Sequence, residues 1–231
     1  HYGLDARYEI LDATPGADDL EKLLRGGSYN GVNLTTPLKE RLVSRLDELD
    51  EDARVAGALN TVVCADGKLQ GHNTDIGGFL DAVRPFWDHA WKDTDTLLLG
   101  AGGAARSVCV AIAAQGGRSI HVLNRTQERA HTLIEDLRPT FPDTLWTSGL
   151  LDEETFLKSP KRKRLVVDAT SGVPDLWLRP SLLDPFLPGS LWMDLSYWRD
   201  TSRWAEFCHR NSMVFVDGYP MLVSQAARAF Q

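Results

Sequence analysis

From Thr96 onward, short runs that are apolar at nearly every position alternate with segments of helical period. "TLLLG", "SIHVLN", "RLVVDAT", "LWMDLSY" and "MVFVDG" are the apolar runs, and "AARSVCVAIAAQ" and "QERAHTLIEDL" are the first two helical segments. Strands without a polar face are buried on both sides, so these runs predict a parallel sheet covered by helices. Ahead of Thr96 the pattern is looser. It predicts a strand at Arg7 to Leu11, a short helix in "GADDLEKLLRGG" ended by Gly26 and Gly27, and a strand at Gly31 to Leu34. Pro37 then opens a helix carrying Leu42, Val43, Leu46 and Leu49 at helical spacing. "ALNTVVCADGKLQGHNTD" reads as two strands about an Asp66-Gly67 hairpin turn, followed by a helix from near Gly77 with Phe79, Leu80 and Val83 on one face. The expected organisation is two α/β domains: residues 1–82 with the C-terminal helix, 218–231, and residues 83–217 between them.

Composition narrows the class. The 231 residues carry a net charge of -7, with 43% hydrophobic and 25% charged positions. That balance is ordinary for a globular protein and gives no reason to expect a nucleic-acid partner. Cys64, Cys109 and Cys208 are odd in number and scattered, which suggests reduced thiols rather than a disulfide framework. No His/Cys set has metal-ligand spacing, so no metal is expected. No apolar run reaches bilayer length and no signal peptide opens the chain, so a cytoplasmic protein is expected. The basic run Lys161 to Arg164 reads as a solvated loop, with a nuclear-targeting signal the lesser alternative.

One short stretch carries more chemistry than composition does. "LLLGAGGAARS" sets Gly100, Gly102 and Ala105 in a GxGxxA pattern between a strand and a helix. Gly100 permits the tight turn, Gly102 lets a pyrophosphate approach the backbone, and Ala105 permits close helix–strand packing. The free N–H groups at the helix start would face the phosphates. Gly100, Ala101, Gly102, Gly103 and Ala104 are therefore candidate cofactor contacts; the plainer reading is a turn that only reverses the chain. At the end of the second strand an NAD site usually has a carboxylate on the ribose 2′-OH. Here "NRTQERA" places Asn124, Arg125, Thr126 and Arg129 instead. Guanidiniums and a hydroxyl bind a 2′-phosphate that a carboxylate would repel, so NADP is favoured. Either arginine could instead merely cover the helix surface, Arg129 more readily than Arg125.

Seven motifs in order, "GVNLTTPLKE", "GALNTVV", "GHNTDIGGF", "GAGGAARS", "NRT", "DATS" and "MLVSQAA", make the chain resemble shikimate dehydrogenases over nearly its whole length. The resemblance implies NADPH-dependent reduction of 3-dehydroshikimate to shikimate, in aromatic amino acid biosynthesis. It also implies a substrate cleft between an N-terminal α/β domain and a Rossmann-like domain. It assigns Lys39 and Asp75 as the catalytic pair, and Thr35, Asn60, Tyr197 and Gln225 to the substrate. Asn33 is expected to fix its loop. Thr170, in "DATS", and Gly218 and Met221, about "DGYPML", fall to the cofactor. The chemistry fits independently: hydride delivery to a ketone leaves an alkoxide that a positioned acid must protonate, and a lysine held in a closed cleft can do so. Outside its motif, Lys39 would read as a surface lysine beginning a helix.

Two departures accompany the likeness. The serine pair that in the family binds the substrate carboxylate has no match, so the chain is expected to begin beyond it. Pro220 stands before Met221 where the family commonly has glycine, which removes a backbone donor. Alternatives to the shikimate reading are quinate as the physiological substrate, a non-catalytic regulator that keeps the pocket, or a module of a multifunctional protein. A small-molecule partner and a monomer or homodimer are expected.

Overall fold

The computed structural model describes residues 5–11, 16–152, 154–155, 164–172 and 188–230; Lys161 to Lys163 of the basic run lie outside them. Two sheets organise the chain. The smaller joins β1 (Gly31–Asn33), β3 (Thr61–Ala65), β4 (Lys68–His72) and β2 (Glu48–Leu49) in that order, with β1 and β4 antiparallel to β3 and β2 parallel to β4. Asp66 and Gly67 link β3 to β4 with positive φ at both, the backbone of a tight hairpin turn. α1 (Ala17–Arg25) lies against this sheet, with Leu20 and Leu24 in a core shared with Leu34, Leu42, Leu59, Val62 and Leu69.

The larger sheet is parallel throughout, in the order β10 (Val214–Val216), β9 (Leu191–Asp194), β8 (Arg164–Asp168), β5 (Asp95–Leu99), β6 (Ser119–Asn124) and β7 (Leu145–Leu150). α5 (Gly103–Ala114) and α6 (Gln127–Leu137) connect its first strands, and α7 (Ser202–Arg210) precedes β10. Leu97, Leu98 and Leu99 are all but inaccessible, as the uninterrupted apolar run requires. Strand order reverses between β5 and β8. In open α/β sheets ligands bind in the crevice at the carboxyl ends of the strands at such a reversal.

Between the sheets run α3 (Glu51–Ala56) and α4 (Asp75–Val83), both packed on α5. Asp50 caps α3 by accepting the Ala53 N–H at 2.7 Å, and its second oxygen accepts the Asn73 N–H at 3.3 Å. Asp50→Ala is expected to cost about 1 kcal/mol, the usual worth of such a cap, as a shift of the urea midpoint at unchanged slope. A midpoint equal to that of the unaltered protein would show the cap to be idle.

The C-terminal helix α8 (Tyr219–Ala229) returns onto α4. A Cβ on Gly78 would stand 2.8 Å from the Gln225 backbone nitrogen, so glycine is what lets the two helices approach this closely. Arg228 donates to Asp81 at 2.8 Å on the same interface.

Several expectations need correction. Arg7 to Leu11 is no strand: it enters no ladder, and Tyr8 and Ile10 are 75% and 90% exposed. Side-chain bonds tie it down instead, from Tyr8 to Asn33 and from Tyr29 to Glu9. The helix after Pro37 stops early. α2 covers only Leu38–Arg41, a 3-10 turn follows at Val43–Arg45, and Leu49 falls in β2. Asp47 accounts for the break, because it accepts the Leu69 N–H and two donors of Arg25, drawing the chain to the edge of β4. α4 begins at Asp75, two residues ahead of Gly77. β7 and α7 were not anticipated. No helix among the described residues is long and apolar enough to cross a membrane.

Candidate active site

Lys39 lies on α2 and Asp75 is the first residue of α4, yet Lys39 Nζ reaches Asp75 Oδ2 at 2.5 Å. Both side chains are shielded, with 17% and 4% of their surfaces exposed. Two features set this approach. Leu59 donates its N–H to the Lys39 carbonyl at 2.9 Å, tying α2 to the segment that leads through Asn60 into β3. A Cβ on Gly103 would stand only 2.8 Å from Lys39 Cβ, so α2 rests directly on the start of α5.

Asn60, 2% exposed, is the hub of the remaining contacts. Its amide nitrogen lies 3.1 Å from Asp75 Oδ1, 2.9 Å from Gln225 Oε1 and 2.8 Å from Thr74 Oγ1. Its carbonyl accepts the Thr74 N–H at 2.8 Å. Lys39, Asp75, Asn60 and Gln225 therefore converge, although Gln225 comes from the far end of the chain. Asn33 bonds Thr61 at 3.1 Å and so braces the neighbouring strand. Thr35 is exposed just after β1, and Tyr197, 40% exposed, faces Trp198 and Tyr219 rather than the four converging residues.

A second buried knot was not evident from sequence. Asn73 donates to the Ala58 carbonyl at 2.8 Å and to Ser107 Oγ at 2.9 Å, while its own carbonyl accepts the N–H groups of Asp75 and Ile76. Ser107 in turn donates to the Gly103 carbonyl at 3.1 Å. The start of α4, which bears Asp75, is thereby fixed to the first turn of α5. "NTD" marked Asp75, but nothing in its spacing pointed to Ser107, 34 residues on.

On the facing side, Gly100 has φ of 105° and would place a Cβ 2.9 Å from the Ala169 carbonyl, so it alone among residues fits the turn at the strand reversal. Ala101 is buried, Ala104 is half-buried, and Gly102 leaves its Cβ position open except for Glu40 Oε1 at 3.8 Å. The first turn of α5 holds no acidic residue. Open N–H groups, a glycine surface and a first turn without an acidic residue fit a dinucleotide's phosphates, with Glu40 of α2 the one carboxylate found close to Gly102 among the described residues. At the end of β6, Asn124 donates to the Thr126 carbonyl at 2.9 Å, which leaves Arg125 and Thr126 exposed. Arg129 stands 3.7 Å from Glu40, the neighbour of Lys39. Thr170 follows β8 beside Gly100, Gly218 packs against the Leu195 carbonyl, and Met221 is buried in the core at the first turn of α8. Among the described residues, no group of three or more His, Cys, Asp or Glu side chains could hold a metal ion.

Comparison with known proteins places these features in company. A family model described as the shikimate dehydrogenase substrate binding domain matches residues 1–62, and one described as shikimate / quinate 5-dehydrogenase matches residues 86–145. The shikimate dehydrogenase (NADP(+)) of Methanopyrus kandleri is 36% identical over 99% of this chain and 80% of its own. That of Halothermothrix orenii is 34% identical over 90% of this chain and 73% of its own. Among solved structures, shikimate 5-dehydrogenase of Thermus thermophilus in complex with NADP(H) and shikimate superimposes with a TM-score of 0.72 at 31% identity. That alignment covers 96% of this chain and 78% of the other.

Proposed function

The chain belongs to the shikimate dehydrogenase family, and from that premise we propose how its residues divide the work of an NADP-dependent interconversion of 3-dehydroshikimate and shikimate. Residues 1–82 and 218–231 form the substrate side, and residues 83–217 the cofactor side. The observation that carries the reading is the shielded Lys39–Asp75 pair at 2.5 Å, lodged against the glycine turn.

The bound nicotinamide cofactor supplies the hydride in one direction and takes it in the other. As the ketone carbon gains hydride, its oxygen needs a proton, and Lys39 donates one from Nζ. In the reverse direction Lys39 takes the proton of the ring hydroxyl. Asp75 fixes the lysine through Oδ2 and, through Oδ1, meets the amide of Asn60. Asn60 and Gln225 then offer polar groups to the ring hydroxyls, and Thr35 and Tyr197 reach the substrate from the rim. Closing the cleft excludes water and strengthens each of these contacts.

The test is direct. Incubated with 3-dehydroshikimate, the chain is expected to oxidise NADPH, and with shikimate to reduce NADP+. Gln225→Ala should raise KM for shikimate about 2- to 10-fold, the worth of one neutral hydrogen bond, with a smaller change in kcat. Quinate differs from shikimate by a ring hydroxyl and the lost double bond. A higher kcat/KM for quinate would overturn the substrate assignment, and inactivity on both would overturn the catalytic one.

A further inference from the structure

The carboxyl edge of the parallel sheet carries a polar cluster to which the chemistry above gives no role. β8 and β9 run side by side with Asp168 opposite Asp194, at 2% and 0% exposure. Each aspartate turns the chain out of the sheet with its own side chain. Asp168 Oδ1 accepts the N–H and the hydroxyl of Thr170 at 3.0 and 2.6 Å, and Asp194 Oδ1 accepts the Ser196 N–H at 2.8 Å. β10 ends the same way, Asp217 taking the Tyr219 N–H at 3.1 Å. Side chains of this type set such turns by accepting the N–H two residues on.

What separates β8 and β9 from β10 is Arg199. Its Nε and Nη2 donate to Asp194 Oδ2 at 2.9 and 2.7 Å, and Nη2 also donates to Asp168 Oδ2. Asp194 thus holds the chain at Ser196 through one oxygen and at Arg199 through the other, and only Tyr197 and Trp198 project between them. Asp168 holds Thr170 in the same manner. One guanidinium joins a loop of the cofactor side to the loop that bears Tyr197.

The electrostatics show why a cation is needed there. Burial, and after it the charge of Asp168, pushes the Asp194 carboxyl above its ordinary range. Burial works to lower Arg199, but the two carboxylates outweigh it and hold the guanidinium above its usual value. Among the described residues, the charged groups in contact with the two aspartates are each other and Arg199. Two unpaired buried carboxylates this close cannot both stay ionised.

We propose that Arg199 is a positioning residue that locks the Thr170 and Tyr197 loops into one geometry at the carboxyl edge of the parallel sheet. The proposal rests on the function above, in which Thr170 serves the cofactor and Tyr197 the substrate. Lysine is a poor substitute, because a single nitrogen cannot reproduce the fork that spans both acids.

The experiment compares the unaltered chain with Arg199→Met, Arg199→Lys and the double variant Arg199→Met/Asp194→Asn. Arg199→Met is expected to raise KM for shikimate at pH 8 by roughly tenfold with kcat little changed, a loss of orientation rather than of a chemical group. Without the cation, burial and the neighbouring charge of Asp168 keep Asp194 protonated to a higher pH in the folded than in the unfolded state. Loop order is therefore present at low pH and lost as pH rises through that raised value. KM should fall back towards normal on acidification, and Asp194→Asn should restore it at pH 8 and abolish the pH dependence. Arg199→Lys should lie between, and decides the matter if Arg199→Met does not fold. Amide exchange across Leu195 to Asp200 and across Ala169 to Gly172 is read on the same proteins, with faster exchange expected in these two loops and not elsewhere. A defect independent of pH and unrelieved by Asp194→Asn, or an unchanged KM and exchange pattern, would overturn the clamp. An unaltered chain inactive towards shikimate would sink the functional reading, and exchange would then decide the clamp by itself.

Discussion

Lys39→Met is expected to lower kcat by roughly 10²–10⁴, the usual worth of a positioned general acid, while KM for shikimate changes little. The Lys39 ammonium meets Asp75 at 2.5 Å, and its stem rests on the first residue of α5. A proton leaves Nζ only as negative charge grows on the substrate oxygen, so most of its contribution belongs to the transition state. Removing it also leaves Asp75, 3% exposed, facing only the Asn60 amide among the described residues, and a buried carboxylate stripped of its cation is destabilising. Asp75→Asn and the double variant separate the two effects. If the residues act as one device, the double variant should be scarcely slower than either single one, and Asp75→Asn should restore the thermal midpoint lost in Lys39→Met. A fall in kcat of less than tenfold in folded Lys39→Met would remove Lys39 from the chemistry.

The parallel sheet was legible because its central strands carry near-continuous apolar runs, a pattern that two-sided burial explains. β7 escaped notice for the converse reason. At this sheet edge only Trp146 and Gly149 of its six residues are buried, which is too little contrast to read as a run. The segment after Pro37 misled in another way. Leu42, Leu46 and Leu49 do turn inward, but a helical spacing of apolar residues cannot report that Asp47 is claimed by Arg25 and Leu69 from elsewhere in the chain.

The site divides along similar lines. Lys39, Asn60 and Asp75 lie in compact local motifs whose residue types already suggest a proton donor and its partners. Gln225 was found by resemblance, and its contact with Asn60 spans 165 positions. Ser107 gave no signal and Arg199 only an indirect one, since each works through groups that only the fold assembles. That sign is the aspartate that ends both β8 and β9, since two buried carboxylates side by side at one sheet edge call for a cation.

Arg125→Ala is expected to erase most of the preference for NADPH over NADH, a loss of about one to two decades in affinity for the phosphorylated cofactor alone. Each charge-assisted contact to a phosphate is worth about 1.5–3 kcal/mol, which sets that range. β6 ends at Asn124, whose amide is spent on the Thr126 carbonyl, so no carboxylate stands there to receive a ribose hydroxyl. Arg125 and Thr126 are exposed beside it and free to meet a 2′-phosphate. Arg129 should matter less. It already faces Glu40 at 3.7 Å, with 59% and 36% of the two side chains exposed. Such a surface pair is worth no more than about 1 kcal/mol, so a phosphate can displace it, but part of the gain is then lost in breaking it. Glu40→Gln should accordingly tighten NADPH more than NADH, since it frees Arg129 as well as removing a charge near Gly102. Because these groups face solvent, the preference should shrink as ionic strength rises and the screening length falls below about 10 Å. Calorimetric titration of both cofactors at two salt concentrations measures all of this. Equal affinity of the unaltered chain for the two cofactors at low salt would refute the assignment of Arg125. A preference that survives in Arg125→Ala but vanishes in Arg129→Ala would move the phosphate contact one helical turn along α6.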